Sequence, residues 1–315
     1  MRCARGAFAR RLIGSAPVDL LRSRLDRKAW TVTVEVVTPA PDDEEARDRV
    51  LMLADALRDD DRVAALTLTD RTVAPDADPI ALAPDVALRS GKAPLVHLAG
   101  KGRDRRAIEA TLRRAGDAGI TSLLLTGGDA LPAAERAGAS PGARDIVVSP
   151  GARDLLTLAA TVAPGILRLG VLEGAYDRAV AKRDAGAAGL IAQVSWDLGV
   201  RETAASWHTR LGVPIIGAVM LLTRGRLEFL ARHRIGGIEV PPVLRHRAER
   251  ELIDAAMHRL ALDLVMLRRL GYAGAHVSGL LSPARVTALL DDAARLDASL
   301  GDDWREVWRE AVGIA

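Results

Sequence analysis

The sequence predicts an α/β fold, a (β/α)8 TIM barrel with one helix ahead of it and one extra helix at its C-terminal end. Short apolar or β-branched runs alternate with longer amphipathic stretches from about residue 31 to residue 297. Eight principal strands with their helices in ~250 residues match the size of such a barrel. No Gly/Ser linker or low-complexity tract divides the chain. An open doubly wound sheet is the runner-up. The organisation that follows is a helical extension over residues 1–30 and a single barrel domain over residues 31–315, including the C-terminal helix.

In chain order, the runs with strand character are Thr31–Pro39, Ala64–Asp70, Pro94–Gly100, Thr121–Asp129, Ile166–Glu173, Gly189–Asp197, Val213–Leu221, Gly237–Pro241 and Ala273–Leu280. Between them, Asp42–Arg58, Arg103–Ala118, Asp154–Ala163, Tyr176–Ala185, Leu227–His233, Arg247–Leu270 and Ser282–Leu296 carry apolar residues at helical spacing. Asp302–Ala315, with Trp304 and Trp308 four apart, reads as a further helix that packs an apolar stripe. The first eighteen residues hold Arg2, Arg5, Arg10 and Arg11 and no acid, and read as a basic N-terminal helix rather than an organellar transit peptide.

Composition narrows the function. Of 315 residues, 49% are hydrophobic and 27% charged, which suits a globular chain with a sizeable core. Lys and Arg number 44 against 41 Asp and Glu, so the net charge of +3 is no nucleic-acid footprint. Five Trp, two Tyr and two Phe are too few for a stacking platform, and a flat ligand would lie mostly against aliphatic or backbone surface. Cys3 is the single cysteine, which rules out an internal disulfide and thiolate metal clusters and fits a reducing cytoplasm. The longest apolar stretch, Leu211–Leu222, falls well short of the ~20 residues of a membrane helix. The expected partner is a small molecule, not nucleic acid or membrane, and a homo-oligomer is compatible with the sequence.

Side-chain alternation in strands selects the interior. Val32, Val34 and Val36 suit the helix layer, so Thr31, Thr33 and Glu35 share the inner face. By the same rule Thr67, Thr69 and His97 point inward, Gln193, Ser195 and Asp197 share a face, and so do His276 and Ser278. Barrel sites form at the C-terminal ends of strands, where Glu35, Thr69, His97, Asp129 and Gln193 all fall. Interior hydrogen bonding is the competing account of these polar residues, above all for His97, His276 and Ser278.

Several of these segments carry a resemblance in collinear order: Val34-Glu35-Val36-Val37-Thr38-Pro39, Leu68-Thr69-Asp70, His97-Leu98, Leu125-Thr126-Gly127-Gly128-Asp129, and Lys182-Arg183-Asp184-Ala185-Gly186-Ala187 leading to Ala192-Gln193. With Gly236-Gly237-Ile238-Glu239-Val240-Pro241 and Gly271-Tyr272-Ala273-Gly274-Ala275-His276, the chain from about residue 31 to residue 295 resembles the methylenetetrahydrofolate reductase family. The resemblance implies a barrel that reduces the methylene group of 5,10-methylenetetrahydrofolate to methyl, with hydride passing from NADH or NADPH through FAD. Glu35 matches the family's catalytic acid; desolvation inside a barrel would raise its pKa and let it donate a proton near neutrality. Asp129 matches the aspartate beside flavin and pterin, and Gln193 the residue that reads the pterin edge. Thr69, His97, Thr126, Gly127 and Gly128 match positions lining the flavin, and Lys182 one near its phosphates.

The sequence also departs from the family pattern. After Glu173 only Gly174-Ala175-Tyr176 precede the helix that ends in Lys182, no His-Pro pair is present, and Ala175 stands at or near an expected aspartate. Valines replace phenylalanines around Glu35, and Val194, Ser195 and Trp196 replace those after Gln193. The shortened segment motivates direct hydride transfer from the nicotinamide without flavin. A folate- or pterin-binding protein without redox activity is a further alternative. Lys101, Arg103, Arg105 and Arg106 offer a cationic group for a phosphate or a folate glutamate tail, or else a solvated helix start. Trp196 and Trp207 read as buried packing residues or as a stacking surface.

Overall fold

A computed structural model describes residues 16–70, 74–127, 150–233 and 237–313. The chain forms a closed barrel of eight parallel strands: β1 Thr31–Val36, β2 Val63–Leu68, β3 Leu95–Ala99, β4 Ser122–Thr126, β5 Leu167–Leu172, β6 Gly189–Ala192, β7 Ile215–Met220 and β8 Gly274–Ser278. The helices among the described residues are α1 Leu20–Asp26, α2 Glu44–Ala56, α3 Pro79–Ser90, α4 Arg105–Asp117, α5 Ala152–Val162, α6 Tyr176–Asp184, α7 Leu198–Leu211, α8 Arg224–Arg232, α9 Pro242–Ala248, α10 Ile253–Arg269, α11 Pro283–Ser299 and α12 Trp304–Val312. None is long and apolar enough to cross a membrane. The basic segment before residue 16 lies outside the described residues.

The expected barrel, with a helix on either side of it, is therefore present. Val32, Val34 and Val36 are buried against the helix layer while Thr31 and Thr33 fill the interior, as alternation requires. Closure runs through β1 and β8, with Thr33 opposite His276 and Val34 opposite Val277. Gly274 makes this possible, because a Cβ there would lie 2.0 Å from the Thr31 carbonyl oxygen. No side chain fits that approach.

Three sequence expectations change. Gly237–Pro241 is not a strand: β7 already pairs with β8, Gly237 has φ +74°, and two successive prolines lack the N–H a ladder needs. The helix expected over Arg247–Leu270 starts later, as α10 at Ile253, and a separate short helix, α9, precedes it, with an extended Leu252 between the two. The run Gly189–Asp197 stops as a strand at Ala192, and Asp197 caps α7 by accepting from the Val200 N–H at 3.0 Å. Two helices absent from the list of amphipathic stretches, α3 and α7, owe their starts to Asp78 and Asp197 as N-caps.

The extra helices are fastened by specific contacts. In α1, Leu21 and Leu25 are buried, and the Arg22 guanidinium donates to the carbonyls of Thr121 and Gly165, just ahead of β4 and β5. It therefore closes the end of the barrel opposite the C-terminal mouth. In α12, Trp304, Trp308 and Val312 are buried, and the Trp308 indole N–H donates to Asp263 of α10 at 2.8 Å. Trp196 is buried as well, whereas Trp207 meets Tyr176 edge-on at 5.4 Å. Trp196 therefore supplies no free stacking face.

Candidate functional site

Glu35, His97 and His276 come from three strands and meet inside the C-terminal half of the barrel. His276 Nε2 donates to Glu35 Oε2 at 3.2 Å, and its Nδ1 is hydrogen-bonded to Thr33 Oγ1 at 2.8 Å. His97 stands alongside, its ring centroid 6.1 Å from that of His276. One ligand-capable atom from each of the three lies within 4.8 Å of the others. Strand alternation explains the convergence, since each residue takes an inward position on its strand.

Two forces act on the Glu35 carboxyl in opposite directions. Burial raises its pKa; the hydrogen bond from His276 and the electrostatic interactions with His276, His97 and Arg226 lower it, and together they win, leaving it below the ordinary carboxylate value. The expectation of a carboxyl held protonated by desolvation is thus reversed, because the hydrogen bond and charges around Glu35 outweigh its burial. Glu35 is an anion in this site. Burial also pushes His97 down, to about 4, with Glu35 opposing the shift. His97 is accordingly a neutral imidazole at pH near 7.

Arg226 is the residue that sequence reasoning missed. It lies at the start of α8, which Thr223 caps, and burial lowers its pKa while Glu35 opposes that change. Its signal was faint, an arginine placed one turn inside a helix that follows a strand. The interior around Glu35 also has hydrogen-bonding capacity that the described residues leave unused: Thr38 Oγ1, Thr67 Oγ1 and His97 Nε2 are buried without a partner. Such groups are costly to leave empty.

The other predicted site residues divide. Thr69 is buried, but its Oγ1 accepts from the Thr38 N–H at 3.2 Å, tying the ends of β1 and β2 together. Thr126 and Gly127 end β4, and the Thr126 carbonyl accepts from Gly100 at 2.9 Å. Gly128 and Asp129 lie outside the described residues. Gln193 follows β6 and accepts from the Val194 N–H at 2.9 Å through Oε1. Its Nε2 reaches toward Gly237, where an added Cβ would come within 3.6 Å.

Lys182 does not join this group. Its stem lies across Gly170 of β5, and Nζ donates to the Val171 carbonyl and stands 3.9 Å from Glu173. Its ammonium holds a strand end, so the cation that the resemblance assigns to the flavin phosphates does not fit that role. Tyr176, which opens α6, is likewise engaged, between Trp207 and the Arg210 guanidinium 4.1 Å above its ring. Both side chains are taken up by protein partners. Nor does the cationic group after β3 converge on an anion: Arg103 forms a fork with the buried Asp70 carboxylate, and Arg105 pairs with Glu109 at 3.0 Å. Asp197 and Ser195 are occupied with the α7 cap, Ser195 Oγ accepting from the Asp197 N–H.

No family model matches the chain, and no curated protein does. Among solved structures, a protein from Clostridium thermocellum that binds two copies of 5-methyl-5,6,7,8-tetrahydrofolic acid is similar over 89% of this chain and 100% of its own, with a TM-score of 0.62 and 13% identity. A 2,3-dimethylmalate lyase (TM-score 0.48, 12% identity, 93% of each chain) and an oxaloacetate acetylhydrolase (0.49, 11%, 94% of this chain and 95% of that one) also align. At 13% identity the likeness to the first of these shows the fold alone.

Proposed function

We propose that the protein binds a reduced folate at the C-terminal mouth of the barrel and reduces its methylene group to methyl, taking hydride directly from NADH or NADPH. The observation that carries this reading is Glu35, an interior carboxylate fixed by His276 beside unused buried hydrogen-bonding groups. Its support is the collinear resemblance to methylenetetrahydrofolate reductases, together with a similar barrel known to bind a methylated folate. The chemistry suits an anion. Opening the methylene bridge creates a cationic iminium, and a carboxylate aimed at that charge from a water-poor interior stabilises it. A pterin covering the mouth removes further water from Glu35 and raises its pKa, which favours proton donation in the complex over the free protein. Gln193 would read the pterin edge through its amide, with Asp129 as a second carboxylate and Thr69 and Thr126 lining the pocket.

The second reading is folate binding without turnover, in one-carbon or methyl-group transfer. The commitment of Lys182 to a strand end favours it over a flavin-dependent reductase. Calorimetric titration with 5-methyl- and 5,10-methylenetetrahydrofolate tests the shared part of both readings; saturable binding of either is expected, and binding of neither sinks both. Loss of reduced-nicotinamide absorbance on adding the methylene form to flavin-free protein selects the reductase. Folate binding with the nicotinamide unchanged selects the second reading.

A further inference from the structure

We propose that Glu35, His97 and His276 form a binding site for a divalent first-row transition cation, with Zn(II) or Fe(II) as the class of ion. Two imidazole nitrogens and one carboxylate oxygen form a donor set that such ions accept and that Mg2+ and Ca2+ do not favour. The spacing suits it. Donors around a four-coordinate zinc stand ~3.3 Å apart, as follows from bond lengths of about 2.0–2.1 Å. Glu35 and His276 are already at 3.2 Å, and all three atoms lie within 4.8 Å, so closing the set asks mainly for a small rotation of His97.

A second, independent observation points to a ligand. His97 Nε2 is buried and has no hydrogen-bond partner among the described residues. A metal ion would satisfy that nitrogen, which no described side chain does. His276 is prepared for the same task by Thr33, whose hydroxyl sits 2.8 Å from Nδ1 and fixes the ring. When Nε2 binds the ion, the ring proton moves to Nδ1 and is donated to Thr33 Oγ1, the outer hydrogen bond typical of metal-bound histidine. Three protein ligands leave a fourth position for water or another ligand, the arrangement of a catalytic rather than a structural ion. Arg226 places a positive charge near Glu35, which tempers affinity, so binding is expected to be exchangeable rather than locked.

The site shares Glu35 with the folate reading, but its test needs no folate. Chelator-stripped full-length protein is titrated with Co(II) alone. Expected are visible ligand-field bands that saturate at one equivalent and are displaced by Zn(II), and two paramagnetically shifted imidazole N–H signals in the proton NMR spectrum. Absence of the bands, or fewer than two such signals, overturns the proposal in the wild-type protein whatever the variants do. His97→Gln and His276→Gln, checked for folding by circular dichroism, should each abolish the bands, while H258Q on the exposed surface should leave them intact. Thr33→Val, which keeps every ligand, should weaken Co(II) by about 10–100-fold. Bands that survive in both His97→Gln and His276→Gln place the ion elsewhere and also overturn it. Anaerobic Fe(II) titration distinguishes the two ions. Folate titration repeated with chelator present shows whether folate binding stands without the metal.

Discussion

Glu35 and His97 lie under the same barrel mouth, yet burial acts on their charged forms with different outcomes. For Glu35, His276 and the neighbouring positive charges outweigh desolvation; for His97, desolvation dominates. Glu35→Gln keeps the shape and removes the negative charge, so the proposed methylene reduction should fall by about 10²-fold or more with the proposed folate binding changed far less, as read from initial rates and calorimetry. A normal rate would remove Glu35 from the chemistry. The histidine makes a separate prediction about stability. Its folded pKa of about 4 lies below the ordinary 6.5, so the unfolded chain binds the extra proton first. Stability is fully present above 6.5 and declines as pH falls toward 4, by on the order of 3 kcal/mol for this one group. The depressed Glu35 pKa acts in the same direction at lower pH, its contribution being lost as pH falls through the folded value. Urea midpoints across this range should drop for the wild type and drop less for His97→Gln. Alternation made the inward placement of both residues legible, but the sign of the Glu35 shift was not, because it depends on partners from β8 and α8.

At the scale of elements, α12 is held by one buried polar contact in an otherwise apolar face. Asp263 is buried and its pKa is raised by desolvation, with Arg201, Trp308 and Arg259 opposing the shift. Trp308→Phe retains most of the ring but leaves that carboxyl without the indole donor, which should cost about 1–3 kcal/mol in a urea titration. An unchanged midpoint would mean that the contact contributes nothing. The spacing of Trp304 and Trp308 revealed the helix and its apolar stripe; the acid facing Trp308 was hidden, since Asp263 lies 45 positions away in the chain. Strand boundaries show the same limit. Gly189–Asp197 reads as one β-like run, but Ser195 and Asp197 spend their side chains on capping α7, and local capping wins over strand propensity.

As a whole molecule, the barrel and α1 should behave as one cooperative unit. Arg22 and Arg24 of α1 reach the carbonyls of Thr121, Gly165, Trp30 and Arg62, so the helical extension grips the segments leading into four strands. Urea unfolding followed by tryptophan fluorescence and by circular dichroism is expected to give one coincident transition for the full chain. Two separated transitions would show α1 and the barrel to be independent. A deletion ending at Lys28 should lower the midpoint, since it uncovers the side chains under Leu21 and Leu25.

The sequence by itself determined the βα repeat, the barrel and the inner face of its strands, because hydrophobic periodicity is a local property that a single chain displays. It also placed Glu35, His97 and His276 among the polar interior residues. Only the tertiary structure decided which of them touch. Glu35 and His276 are 241 positions apart and reach 3.2 Å because β1 and β8 close the ring, a contact that no local pattern encodes. That closure holds Glu35 as an anion and leaves His97 Nε2 without a partner beside it, with Arg226 near Glu35. Lys182 shows the converse, since matching spacing in the sequence led its ammonium to the Val171 carbonyl rather than to the cluster around Glu35. Charge state and ligand geometry depend on distance in space, and that distance is set by how the barrel closes.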